Sequence, residues 1–453
     1  MDYKKLSDNG EFAKAEKKIK SLLATNKVPA DKRVELNFEL ERMRRIRLDF
    51  NQSEADVLFF IKKYIPSVTA KDLRRWEEEK SLECMNIDGH KRYFKQAARN
   101  LFRINRECRR LWQKAHKTFV SGSKKEFDLD GHDRRVTKQA LRLHKKFVEP
   151  RRFMIHYLLT VKPNQVPPGE MVRCWLPYPR EIEGRQTHIR LLKTEPLTYR
   201  LAPANHLQRT IYFEKKTVAN QPTRFSVDYE YTSHAVYMEI DPQRVQPVDA
   251  NGPLKPYLQE DPPHIVFSDT LRRLSGRIIG NESNPYRKAQ KLFAWVDENI
   301  PWGSAREYST IRNLSAYAIK NRHGDCGIQT MLFITLCRLN GIPARWQSGW
   351  EFKPPSDSMH DWGMIYFEPY GWMPMDVTYG QRKAEAGDMF RWFYLHGMDS
   401  YRLIFNDDFS ISFKPRKKHF RSETIDSQRG EVEWEGGNLY FDQWRWQIVW
   451  KEI

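Results

Sequence analysis

At 453 residues the chain is too long for one typical core, so two or three domains are expected. A hydrophobic content of 40% with 13% aromatics excludes disorder as the default state, and no run of 18 apolar residues is present to span a bilayer. The formal charge of +19 is uneven: residues 1–150 hold 37 Lys and Arg against 23 Asp and Glu, while the rest holds 40 against 35.

The basicity therefore belongs to the first third, which is expected to attract a polyanion such as nucleic acid, anionic polysaccharide or lipid head groups. The plainer alternative is a helical surface of solvated Lys and Arg. The opening Met1-Asp2-Tyr3-Lys4-Lys5 has no apolar core and does not read as a signal peptide. Five cysteines, Cys84, Cys108, Cys174, Cys326 and Cys337, are too few and too scattered for a disulfide framework. With no C-x-x-C and no H-E-x-x-H, neither a metal site nor a cofactor is expected.

Residues 1–148 read as an all-helical basic domain. Between Asp31 and Leu48, Leu36, Leu40, Met43 and Ile46 recur at helical spacing. Thr69-Ala70-Lys71-Asp72 resembles a capping box opening the next helix. A long basic helix is expected from Lys91 to about Lys117, with Phe94, Ala98, Leu101, Ile104, Cys108 and Leu111 on one face. A polar stretch, Ser121–Asp133, precedes a last helix to about Val148.

After Pro150 the texture turns to short β segments: Phe153–Val161, Met171–Leu176, Ile189–Leu192, Thr210–Phe213 and Arg224–Tyr231. Their spacing predicts a small antiparallel sandwich over 150–245. A Pro-rich linker over 246–264 follows. Helices return at Ser268–Ile279 and after Asn284-Pro285, an N-cap and N1 pair. A third helix is expected from Cys326 to Gly341, with strands dominating from Ala344 onward. Helices followed by sheet make 265–453 an α+β domain.

The chemistry gathers between 321 and 380. Asn321-Arg322-His323-Gly324-Asp325-Cys326-Gly327 precedes an apolar helix, so Cys326 falls in its first turn. There the helix dipole and unpaired N–H groups favour a thiolate, and the same N–H groups can hold an oxyanion. Cys337 lies deep in the apolar helix and reads as packing. His360-Asp361-Trp362 opens a strand, Glu368-Pro369-Tyr370-Gly371 turns it, and the return strand ends near Asp376. A thiol nucleophile needs a base, and the base needs a group to orient it, which assigns Cys326, His360 and Asp376 to those roles. Pro374 removes one ladder hydrogen bond and leaves the register of this hairpin open. His323 is a rival base, although three residues from Cys326 in a tight turn its ring points away. Trp302, Gly327 and Trp362 are candidate oxyanion or cleft residues, with core packing the plainer reading of Trp302. The C-terminal aromatics Trp434, Tyr440, Phe441, Trp444, Trp446 and Trp450 form either a sugar-stacking platform or, more plainly, core.

The matching text Gly324-Asp325-Cys326, Gly341-Ile342-Pro343-Ala344-Arg345, His360-Asp361-Trp362, Gly371-Trp372 and Met375-Asp376-Val377-Thr378 resembles the transglutaminase-like superfamily. The resemblance covers roughly 265–410. It implies a papain-like core, a Cys326–His360–Asp376 triad, and acyl transfer from an amide through a thioester. The implied substrate is a peptide, protein or glycopeptide. Hydrolysis by a cysteine peptidase or amidase is favoured over transamidation, because water is everywhere and an amine acceptor needs its own site. A glutamine transamidase, or a non-catalytic glycan- or peptide-binding protein on the same scaffold, remain the alternatives. By analogy with extracytoplasmic members carrying an accessory sandwich, an exported protein is expected.

Overall fold

The computed structural model describes residues 2–25, 28–116, 127–385 and 387–453. Lys117 and the Ser121–Glu126 part of the expected polar break lie outside the described residues. The chain divides into two compact units, one made of the described residues of 1–125 with Asn299–Ile328, the other of those in 126–298 with Gln329–Ile453.

The first unit is mostly helical, and its caps follow the sequence. Thr69 and Asp72 form a reciprocal capping box before Ala70–Glu78, as Ser53 and Asp56 do before Glu54–Lys62. The expected helix from Lys91 is corrected. His90–Tyr93 is a strand that pairs with Cys84–Ile87 across a two-residue turn, with Asp88 and Gly89 both at positive φ. That is the turn geometry Asp-Gly favours. Helix resumes at Ala97–Ile104 and breaks at Asn105, whose side chain accepts from Cys108 N–H (3.1 Å) and starts Arg106–His116. The first unit is therefore not all-helical. Cys108 is buried as expected, whereas Leu111 is exposed. Leu36, Met43, Ile46, Val57, Leu73 and Leu101 lie in the core. Many cations are paired within the unit: Arg42 with Glu39 (2.8 Å), Arg45 with Glu41 (3.0 Å) and Lys95 with Asp49 (2.8 Å).

The second unit carries three antiparallel sheets. A four-stranded sheet runs Gly371–Met375, Ser356–Phe367, Ala344–Lys353, Arg402–Asn406. A second joins Gly397–Met398, Thr223–Tyr237, Phe147–Val161 and Trp444–Glu452 in that order, with Gln186–Glu195 also on Thr223–Tyr237. A third runs Gly437–Leu439, Glu431–Trp434, Met171–Pro177, Thr210–Lys216, Arg200–Leu201. The expected last N-terminal helix ends early, at Leu143, because His144 adopts a left-handed cap (φ 50°), and a strand begins at Phe147. Trp444 pairs with Val161 and Glu452 with Phe153, so a C-terminal strand completes a sheet begun near residue 150. Trp444 is buried, and Trp434, Phe441, Trp446 and Trp450 pack on the same core as Phe153, Tyr229 and Trp350. Tyr440 is also buried, and the other four are partly buried against that core, in line with the plainer of the two readings. Among the described residues no helix is long and apolar enough to cross a membrane.

Candidate active site

Pro374 sits on the edge strand of the four-stranded sheet, where a missing N–H is tolerated. The hairpin register pairs Gly363 with Met375 and Phe367 with Gly371. Continued one step, it sets Asp376 opposite Trp362, and His360 shares the face of Trp362 by period-2 alternation. His360 and Asp376 are therefore diagonal neighbours on one face. The contact is made: His360 Nε2 lies 2.7 Å from Asp376 Oδ2, with His360 5% and Asp376 0% exposed.

Asp376 is held on every side. Its Oδ2 also accepts from Arg402 Nη1 (2.9 Å), its Oδ1 accepts from Thr378 N–H (3.1 Å), and its own N–H donates to Tyr394 O (2.7 Å). Burial alone would push this carboxyl up, but the charges of His360 and Arg402 outweigh it and hold it below the usual range. Arg402 is fully buried and donates from Nε (2.9 Å) and Nη2 (2.8 Å) to Asp399 Oδ2. Its guanidinium faces the rings of Trp362 (5.2 Å) and Tyr379 (5.1 Å). Glu351 forms a second acidic group beside the imidazole. It accepts from Tyr379 OH (2.7 Å), Lys353 Nζ (2.8 Å) and Ser358 Oγ (2.9 Å). Against the upward push of burial, the His360, Lys353 and Arg402 charges hold Glu351 far below the usual carboxylate range.

Cys326 is half-buried and opens the helix Cys326–Leu339, which Gly341 closes at φ 73°. Asp325 caps it, accepting from Ile328 N–H (3.2 Å) and from Tyr308 OH (2.8 Å). Burial pushes the Asp325 carboxyl up to about 6, against the lowering effect of those two donors. The preceding loop is pinned by Gly303 N–H to Gly324 O (3.0 Å) and Gly324 N–H to Pro301 O (3.3 Å). One turn into the same helix, Gln329 Oε1 accepts from Thr378 Oγ1 (2.8 Å) and Thr330 Oγ1 donates to Asp361 O (3.4 Å). Those partners are neighbours of Asp376 and His360 in the chain. Burial pushes the other thiols up: Cys84 to about 11, Cys108 to about 12, Cys174 and Cys337 well above the ordinary value.

The remaining candidates occupy distinct places. His323 is buried, with Nδ1 2.9 Å from Asn321 O. Trp302 is 40% exposed, with Arg103 4.8 Å from its ring. Gly327 is buried at the helix start. Trp362 is fully buried, and its indole N–H donates to Gln347 Oε1 (2.7 Å), so that donor is already engaged. Glu351, Asp399, Arg402 and Asp325 were not foreseen. A charged residue between the aromatics Trp350 and Phe352 was the available signal for Glu351. Nothing in the spacing ties Arg402 to Asp376. Among the described residues no group of three or more His, Cys, Asp or Glu is arranged to hold a metal ion.

Residues 272–377 match the transglutaminase-like superfamily. This segment is similar to a transglutaminase-like core. It contains Cys326, His360 and Asp376, whereas Asp399 and Arg402 lie beyond it. Solved structures similar to the chain include one from Cytophaga hutchinsonii and one from Pseudomonas aeruginosa. A "putative cysteine protease" from Cytophaga hutchinsonii is 17% identical, with 68% of this chain and 92% of that one covered and a TM-score of 0.44. The periplasmic domain of TgpA from Pseudomonas aeruginosa is 14% identical, with 51% and 88% covered and a TM-score of 0.27. No curated protein matches the chain.

Proposed function

We propose that the chain is a thiol-dependent acyl-transfer enzyme acting on amide bonds, with Cys326 as nucleophile, His360 as base and Asp376 as its orienting partner. The observation that carries this reading is the buried 2.7 Å contact between His360 Nε2 and Asp376 Oδ2. With Nε2 committed to the carboxylate, Nδ1 is the nitrogen left to take the thiol proton. The thiolate attacks the amide carbonyl, and the N–H groups of the first helical turn, Gly327 among them, hold the oxyanion. Trp302, half-exposed, walls the substrate side. The imidazolium gives its proton to the departing amine, and Asp376 stabilises the cation meanwhile. Water then takes the acyl group from sulfur and regenerates the thiol. Hydrolysis is favoured over transamidation because the latter requires a site for the amine.

The test is iodoacetamide labelling of the native protein across pH 5–9 with peptide mapping, on wild type and His360→Ala. Cys326 labelled fastest, at a rate that depends on His360, supports a live thiolate–imidazolium pair. Labelling of Cys326 no faster than Cys84, and indifferent to the substitution, would falsify the enzyme reading. Release of amine from model peptides, compared with incorporation of a fluorescent primary amine, separates hydrolase from transamidase.

A further inference from the structure

The first unit holds a cavity of about 570 Å³, within the range of small-molecule sites. One wall is apolar, with Ile46, Phe50, Leu82 and Ile311. Among the charged residues that also line it, Arg306 and Glu83 are opposite charges that form no ion pair with each other. The Arg306 guanidinium lies over the rings of Phe50 (5.7 Å) and Tyr317 (5.4 Å), and its Nε is buried with no hydrogen-bond partner among the described residues. Glu83 also lines the cavity and accepts from Tyr317 OH (2.8 Å). Neither Arg306 nor Glu83 has an ion-pair partner among the described residues, in contrast to Arg42 and Arg312, which share Asp8 and Glu39. Tyr317 is the spacer that keeps them apart, its ring under the cation and its hydroxyl on the carboxylate.

A second observation concerns His323, which lines the same cavity and is 1% exposed. Its Nδ1 faces Asn321 O (2.9 Å), while Nε2 is buried and has no partner among the described residues. Buried polar atoms are normally hydrogen-bonded, so an unpartnered acceptor at a cavity wall points to a donor that a ligand brings. We propose that this cavity binds a small zwitterion with an apolar body, such as a free apolar α-amino acid. Its carboxylate meets Arg306, its ammonium meets Glu83 and His323 Nε2, and its side chain lies against Phe50 and Ile46. A guanidinium takes a carboxylate through two parallel bonds, and burial strengthens both charge-assisted contacts.

The probe is L-phenylalanine, measured by calorimetry on the full chain, beside phenylacetate, which lacks the ammonium, and phenethylamine, which lacks the carboxylate. Saturable binding of L-phenylalanine is expected, with each truncated analogue weaker by about tenfold or more, as loss of one charged hydrogen bond implies. Arg306→Met and Glu83→Gln keep the packing and the Tyr317 contact, and each is expected to weaken binding by a similar factor. Where a variant fails to fold, the analogue series on wild type still decides. So does protection of Cys84, a half-buried thiol on the cavity wall, from N-ethylmaleimide by L-phenylalanine. Absence of saturable binding, or phenylacetate binding as tightly as the amino acid, or unchanged affinity in folded Arg306→Met, overturns the proposal.

Discussion

Replacing Arg402 by Met tests whether the buried guanidinium is what keeps Asp376 ionised and in place. The side chain makes one bond to Asp376 (2.9 Å) and two to Asp399 (2.9 and 2.8 Å), and all three residues are fully buried. Methionine keeps the aliphatic stem but leaves two carboxylates without their cation. Breaking a buried pair by removing one partner costs about 3–5 kcal/mol. The sign of the pH dependence follows from the depressed carboxyls of Asp376 and Asp399. A depressed group stabilises the fold above the unfolded carboxyl range and loses that contribution as pH falls toward its folded value. In Arg402→Met the opposing burial is no longer outweighed, so protonation relieves the variant. The gap between wild type and variant is therefore largest near pH 7 and narrows as pH falls toward the ordinary carboxyl range of about 4. Urea unfolding at pH 7 and at pH 4.5 reads it, with Asp399→Asn in a double-mutant cycle to show the coupling. A loss under about 1 kcal/mol that is the same at both pH values would refute the clamp.

Other perturbations follow from the same contacts. His360→Ala should leave the fold intact and slow alkylation of Cys326 at pH 7, while labelling of Cys84 stays as it was; equal slowing at both thiols would point to a global change. Asp325→Ala removes a helix cap and should cost about 0.5–2 kcal/mol in urea unfolding. Asp325→Asn tests the pH effect instead. Because burial raises this carboxyl to about 6, stability from its protonated form is full below the unfolded carboxyl range and is lost as pH rises through about 6. Melting temperatures between pH 4.5 and 7.5 should fall less steeply in the Asn variant, and parallel profiles would contradict that assignment. Trp362→Phe strips the buried Gln347 Oε1 of its donor and should destabilise by about 1–3 kcal/mol, measured the same way. No loss there would mean that Gln347 repacks.

Legibility in the sequence tracked the range of the interaction. Asp72 reads as a capping partner of Thr69 because the contact is three residues long. The Cys326 helix is visible from its apolar run and from Gly341, and the His360 hairpin from its turn. The Asp88-Gly89 turn was equally readable, but Ile104 and Cys108 nearby fit a helical stripe and masked it. Arg402 was beyond reach for a different reason: it meets Asp376 through strand order, since Ala344–Lys353 lies between Arg402–Asn406 and the His360 strand. The buried charges behind the imidazole are likewise a product of three-dimensional packing. Spacing also leaves no trace of the pairing of Trp444–Glu452 with Phe147–Val161.

That pairing sets an order of events during synthesis. Val161 leaves the ribosome 283 residues before its partner Trp444, and the His360 hairpin is made in between. Until the later strand arrives, Phe147–Val161 presents an open edge while the neighbouring Thr223–Tyr237 is already available. Contacts so distant in sequence close slowly, because the intervening loop must be ordered first. The nascent chain thus spends the interval with a long edge exposed even after Phe147–Val161 has paired along its other edge with Thr223–Tyr237, and that open edge can pair with a second nascent copy.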